Sequence, residues 1–252
     1  MRGIFVGASL STSVRRSAMF KRLLKFLTPY RPDLGFIKAR EEAYERAFGV
    51  EAQILHSTDH KAPHIDLYVF PPDGQRDFVA VLTGGMSDLP MAVPDGSAAE
   101  AHIELLMGIG QHQHWATNLL KLVAEYPFDQ GTFYDAHHTV PFGGELGDGS
   151  SLSAFLFVRP RSLPERLARF EFDGKRIGFL QAVPITTAEH QFAVTEGSDK
   201  LEALLEKHGY LITRDPNRQS VVKGAEPGAA PNGGPATRLG NSGVTEGPPS
   251  VS

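Results

Sequence analysis

The chain has 252 residues, 41% of them hydrophobic, no cysteine and a formal net charge of −4. That length and apolar content can bury a sizeable core, whereas the lack of cysteine excludes disulfides, thiolate metal sites and a cysteine nucleophile. The body carries no sustained basic stripe, which argues against nucleic acid as a partner.

Charge is unevenly placed. Residues 1–32 hold seven basic side chains (Arg2, Arg15, Arg16, Lys21, Arg22, Lys25 and Arg31) and no acid, leaving 18 basic against 29 acidic groups in the remainder. The apolar piece Ile4-Phe5-Val6 is too short for the core of a secretion signal, and no stretch approaches the ~18 apolar residues needed to span a bilayer. Residues 1–32 therefore read as a basic arm, helical around Phe20 to Leu27, with no membrane role.

Phe36, Ile37, Tyr44, Ala47 and Phe48 fall on one side of a helix that Gly49 can close with a left-handed cap. Strands are expected around Ile54, at 65–70 and at 78–83, with Pro71-Pro72-Asp73-Gly74 turning the chain between the last two. A further strand fits 101–107. In the next helix, Trp115 to Tyr126, residues Trp115, Leu119, Leu122 and Tyr126 repeat at i, i+4, i+7 and i+11, and Pro127 is expected to stop it.

Residues 151–158 are strand-like, and Asp173-Gly174 reads as the two-residue turn of a hairpin from 170–172 into 176–184. Thr186-Thr187-Ala188-Glu189 has the spacing of a capping box. A last helix is expected from Ser198 to His208, with Ser198 as N-cap, Leu201, Leu204 and Leu205 inward and Gly209 beyond the end, before a short strand at 210–213. From Gly224 to Ser252 glycine and proline supply 12 of 29 residues, too little apolar surface to offset ordering entropy. The expected organisation is a basic arm at 1–32, a folded domain at 33–222 and a disordered tail at 223–252. Connections mostly too short for parallel crossovers give an α+β fold with mixed, mainly antiparallel sheet packed by helices.

The stretch VLTGGMSDLPM, residues 81–91, carries the most ambiguous chemistry. A phosphate-binding loop needs a lysine followed by Ser or Thr after its glycines, and a nucleophile elbow needs glycine on both sides of its serine. Neither pattern is present, since Leu89 stands where the second glycine would be. The simplest reading is a strand end at which Gly84 or Gly85 supplies positive φ, Asp88 binds nearby amides, and Met86, Leu89 and Met91 fill the core. His112-Gln113-His114 and His137-His138 are the candidates for a metal, but no HExxH motif or carboxylate at ligand spacing accompanies them. Glu41-Glu42 reads as a wetted helix face, and Trp115 as core. A hydrolase using Ser87, Asp88 and His138, or a His-bound metal, is the enzymatic alternative.

Several of these residues together resemble the Suppressor of fused domain family. Gly85-Met86-Ser87-Asp88-Leu89 is similar to its G-[LM]-S-D-L turn, followed by Glu104-Leu105 and by the helix from Trp115 through Leu119 and Leu122 to Tyr126-Pro127-Phe128. Thr132-Phe133 and His138-Thr139-Val140 match the next stretch. Phe179-Leu180-Gln181 resembles the F-L-Q strand, with Ile185-Thr186 and Glu189 turning into the last helix. Leu211-Ile212-Thr213-Arg214 and Arg218 suit the closing strand, although Arg214 stands where that family often has Asp. Order and spacing over about 145 residues, from Phe78 to Val222, carry the resemblance.

It implies a cytoplasmic, non-catalytic module that binds another protein or peptide and uses no cofactor or metal. Animal relatives sequester Gli-type transcription factors by taking a peptide strand between two lobes, and this chain stops where such a second lobe would begin. Bacterial relatives on the shorter plan are associated with immunity against toxins in polymorphic toxin systems, and a toxin domain is then the implied partner. A regulatory scaffold binding a transcription factor is the other reading. Ser87, Asp88 and Leu89 are expected at the partner surface with Ser87 and Asp88 exposed, unless Asp88 only ties down the turn. His138 is either a recognition contact or a structural hydrogen-bonding group. Gly85, Met86, Trp115, Phe179, Leu180 and Gln181 are structural.

Overall fold

The computed structural model describes residues 31–49, 52–58, 61–111, 114–142, 150–161 and 163–222. The expected arm helix, the tail and the His112-Gln113 pair lie outside the described residues. Helix α1 spans Leu34–Phe48, and strands β1, β2 and β3 span Gln53–Leu55, Asp66–Phe70 and Val79–Gly84. A single 3-10 turn at Met86–Asp88 leads to β4 (Ile103–Ile109), α2 (His114–Gln130), β5 (Thr139–Pro141) and β6 (Leu152–Val158). Then come α3 (Glu165–Ala168), a ribbon of β7 (Glu171–Phe172) and β8 (Lys175–Arg176), β9 (Gly178–Thr186), α4 (Thr187–Glu196) and α5 (Ser198–Lys207).

Seven strands form one sheet in the order β1-β2-β3-β4-β9-β6-β5. All neighbours are antiparallel except β4 and β9, whose parallel pairing runs from Ile103 opposite Gly178 to Leu106 opposite Gln181. Strand alternation sorts the core into two faces. Leu67, Val69, Val81, Leu105, Met107, Phe155, Phe157 and Leu180 point to one face and meet Ala116, Leu120, Val123 and Ala124 of α2. On the other, Tyr68, Phe70, Leu82, Leu106 and Phe179 meet α1 and the α3–β7 region, while Leu156, Val183 and Ile185 meet α4 and α5. The sheet is thus the middle of three layers.

Four local expectations need correction. Helix α2 continues through Pro127 to Gln130. Proline has no N–H for the Val123 carbonyl one turn earlier, and the Tyr134 hydroxyl donates to that carbonyl instead, at 2.9 Å. The buried stripe of α2 is Ala116, Thr117, Leu120, Val123, Ala124 and Pro127, so Leu122 is 60% exposed and Trp115, Leu119 and Tyr126 are half-buried. Helix α5 starts at Ser198 with Gly197 as its N-cap and no side-chain cap. At 210–213 only Thr213 pairs, bridging Ile109 in parallel.

Other local signals hold. Gly49 closes α1 at φ 101°, Asp173 and Gly174 turn the ribbon at φ 49° and 70°, and Thr186 with Glu189 forms a reciprocal capping box.

Candidate functional site

The turn after β3 sits over a buried polar cluster centred on Glu104. This residue follows Ile103 on β4 and, by strand alternation, faces α1 rather than α2. Its carboxylate is fully buried and accepts from Gly85 N–H at 3.0 Å, Ser87 N–H at 3.1 Å and the Ser87 hydroxyl at 2.6 Å, all on one oxygen. The other oxygen accepts from the Thr83 hydroxyl at 2.6 Å. Thr83 in turn accepts from Leu105 N–H, and its carbonyl accepts from the Tyr44 hydroxyl at 2.7 Å.

Arg40 completes the cluster from α1. It occupies the helix's apolar stripe, between Phe36 and Ala43-Tyr44, and is 2% exposed. One guanidinium nitrogen lies 2.6 Å from Asp88 Oδ1 and 3.4 Å from Glu104 Oε1, and the guanidinium stands 5.1 Å from the centre of the Phe36 ring. Among the described residues Arg40 Nε is the sole buried side-chain N or O atom without a hydrogen-bond partner.

Burial pushes the Glu104 carboxyl above its ordinary range, against the Arg40 charge and the Ser87, Thr83 and Gly85 donors, which favour the ionised form. Burial by itself would lower the pKa of Arg40, but Glu104 and Asp88 more than reverse this and hold it above the ordinary value. We read the pair as a buried, charge-compensated ion pair, since every donor that reaches Glu104 stabilises its anion.

The glycine pair makes the geometry possible. Gly85 has φ 123°, and a Cβ there would collide with the His64 carbonyl oxygen. At Gly84 a Cβ would strike the Tyr68 ring.

These facts place the expected site residues. Ser87 is buried at 1%, which corrects the expectation that it is exposed, because its hydroxyl and amide both turn inward to Glu104. The Asp88 carboxylate is largely covered and binds Arg40, so it ties the turn to α1. Leu89 is half-buried, and Gly85 and Met86 are buried. His138 lies just before β5, with β4, β9 and β6 between that strand and β3. Its backbone carbonyl accepts from Phe157 N–H at 2.9 Å, and its ring stands edge-on to Phe133 at 5.2 Å. The trio Ser87, Asp88 and His138 is therefore not assembled.

Phe179 and Leu180 are core residues on opposite faces of β9, and Gln181 donates to the Leu211 carbonyl at 2.7 Å. His137 pairs with Glu202 at 2.6 Å, and among the described residues no three His, Asp or Glu side chains form a set that could hold a metal.

Sequence reasoning passed over Arg40 and treated Glu104 only as a motif letter. A charged residue at an apolar helix position, and another inside AHIELLM, was the available signal.

Beside the turn lies a cleft of about 160 Å³ between the start of α1, the Ser87–Leu89 segment and the β7–β8 turn. Phe36, Leu89 and Phe172 form its apolar lining, and Arg31 and Lys175 stand at it.

A three-layer α+β fold with such a turn defines a class, and comparison places the chain in it. The chain belongs to the Suppressor of fused protein (SUFU) family, whose model matches residues 61–219. No curated protein matches it. A Suppressor of fused homologue from Neisseria gonorrhoeae is similar in structure with a TM-score of 0.59 at 18% identity, covering 77% of this chain and 100% of that one. The Sufu-Fu complex structure gives 0.57 at 16%, covering 74% and 91%, and Drosophila Suppressor of Fused gives 0.56 at 16%, covering 73% and 50%. No helix among the described residues is long and apolar enough to cross a membrane.

Proposed function

We propose that this protein is a non-catalytic binding domain that acts in the cytoplasm by covering a partner protein. The observation that carries this reading is the fate of Ser87: its hydroxyl, on a sharp strand-end turn, is buried and donates inward to the equally buried Glu104 carboxylate, so it presents no oxygen to a substrate. A nucleophile needs an accessible oxygen and a neighbouring general base. Membership of the Suppressor of fused family, together with a structural neighbour captured in the Sufu-Fu complex, supports protein binding as the alternative to chemistry.

The finer role we propose is neutralisation of a toxin domain by steric blocking, as an immunity protein. Affinity would come from strand addition at a sheet edge and selectivity from nearby side chains. The edges are β1 and β5, each three residues long. On β5 Pro141 has no N–H to offer, which favours β1, where Gln53 and Ile54 are exposed.

The test compares the wild-type chain with Ser87→Ala and His138→Ala on generic ester substrates. No turnover above the uncatalysed rate is expected from any of the three. Serine-dependent hydrolysis would overturn the proposal.

A further inference from the structure

We propose that the N-terminal arm folds back on its own domain, seating the apolar face of a helix at residues 20–27 on Leu34 and in the cleft beside the Ser87–Leu89 segment. Whether or not the domain binds another protein, the cleft then has an occupant from within the chain.

The arm's own pattern supplies the face. Phe20, Leu23, Leu24 and Leu27 recur at i, i+3, i+4 and i+7, whereas Lys21, Arg22 and Lys25 fall on the other side of the same helix. An isolated helix of that length is marginal in water, and such helices are held by packing an apolar face against tertiary structure. Pro29 and Pro32 disfavour helix at Thr28 and Arg31, so the segment cannot run straight on into α1. Residues 31–33 are non-helical, and Asp33 caps α1 with extended backbone. Residues 28–33 make a connection of the length that joins neighbouring antiparallel helices.

The domain has a matching surface where the arm enters it. Leu34, the first residue of α1, is 76% exposed, more than any other large apolar side chain among the described residues. The adjoining Gly35 lies against Phe172, where an added Cβ would stand 3.6 Å from the ring. Phe36 follows, lining the cleft with Leu89 and Phe172, and the two phenylalanine rings meet at 5.1 Å between centres. Arg31 lines the same cleft, and Leu27, four residues earlier, is at most ~14 Å of extended chain away from it. A volume of about 160 Å³ suits one large side chain. The lining counts Asp33, Asp88 and Asp173 against Arg31 and Lys175, so no net positive charge repels a segment whose charged groups are all basic. A partner that used this cleft would first displace the arm.

Because the chain has no cysteine, a nitroxide can be attached at one introduced position without removing a native thiol. The experiment uses the full isotope-labelled chain with Lys21→Cys, on the basic side of the arm, and reads paramagnetic broadening of backbone amides by NMR. Broadening at residues 87–89 and 172–175 is expected, and adding Leu23→Glu with Leu27→Glu should abolish it while the rest of the domain's amide spectrum stays unchanged. Leu34→Glu, at an exposed position, should weaken the same broadening. Broadening that survives the arm substitutions reports the tether alone and overturns the proposal, as does its absence from those residues. Broadening that passes from a nitroxide-bearing chain to a separate isotope-labelled one would assign the face to a second copy. Cosedimentation with phosphatidylglycerol vesicles, without broadening inside the molecule, would assign the arm to a membrane surface. Either of these outcomes also overturns it.

Discussion

Glu104 shows how a single buried carboxylate can organise a turn. Two backbone amides, two hydroxyls and a guanidinium converge on it, so truncation leaves four buried donors without their acceptor and strips Arg40 of one of its two carboxylate partners. Removing one partner of a buried ion pair typically costs about 3–5 kcal/mol. Glu104→Ala should therefore lose that much in urea unfolding, and a loss below about 1 kcal/mol would show that the cluster is not a structural keystone.

A second residue sets a pH response. Half-buried His190 on α4 has its pKa lowered from 6.5 because burial disfavours the imidazolium. The unfolded chain then binds this proton more readily than the folded one. His190 contributes fully to stability above about pH 6.5, and that contribution is lost as pH falls toward the lowered folded value. His190→Gln should flatten this part of the stability curve, measured as the urea midpoint between pH 7 and pH 5. An unchanged slope would remove His190 as its source.

At the level of elements, the instructive case is α2. Its sequence offers two overlapping apolar stripes, and Trp115, Leu119, Leu122 and Tyr126 are the larger side chains. The sheet instead takes the stripe with small residues, Ala116, Thr117, Leu120, Val123 and Ala124, of which Ala116 and Ala124 are wholly buried. Small side chains let the helix approach the sheet closely while Met107, Phe155 and Phe157 fill the space between. Leu120→Ala should cost about 2–5 kcal/mol, and Leu122→Ala no more than about 0.5 kcal/mol, in matched urea unfolding. Equal losses would contradict the observed face.

Elements whose signals were local were legible in the sequence: the Asp173-Gly174 turn, the Thr186–Glu189 box and the apolar runs of β2 and β3. What escaped depended on distant partners. Pro127 lies inside its helix because Tyr134, seven residues on, supplies the missing donor. Ser87 is buried because Glu104, 17 residues on, needs its hydroxyl. The turn itself was recognisable as a motif, but its inward direction was not.

For the molecule as a whole, the three-layer arrangement pins the GMSDL turn between α1 and β4 and leaves a small cleft beside it. Burial of Ser87 and the three strands between it and His138 keep the Ser87, Asp88 and His138 set unassembled. For a protein partner the described residues offer two short sheet edges and the cleft. The most direct measurement is native mass spectrometry of the tagged full chain isolated from its own cell. The account predicts a second polypeptide in fixed stoichiometric ratio, retained by Ser87→Ala. Isolation of the chain alone, with turnover that Ser87→Ala abolishes, would contradict it.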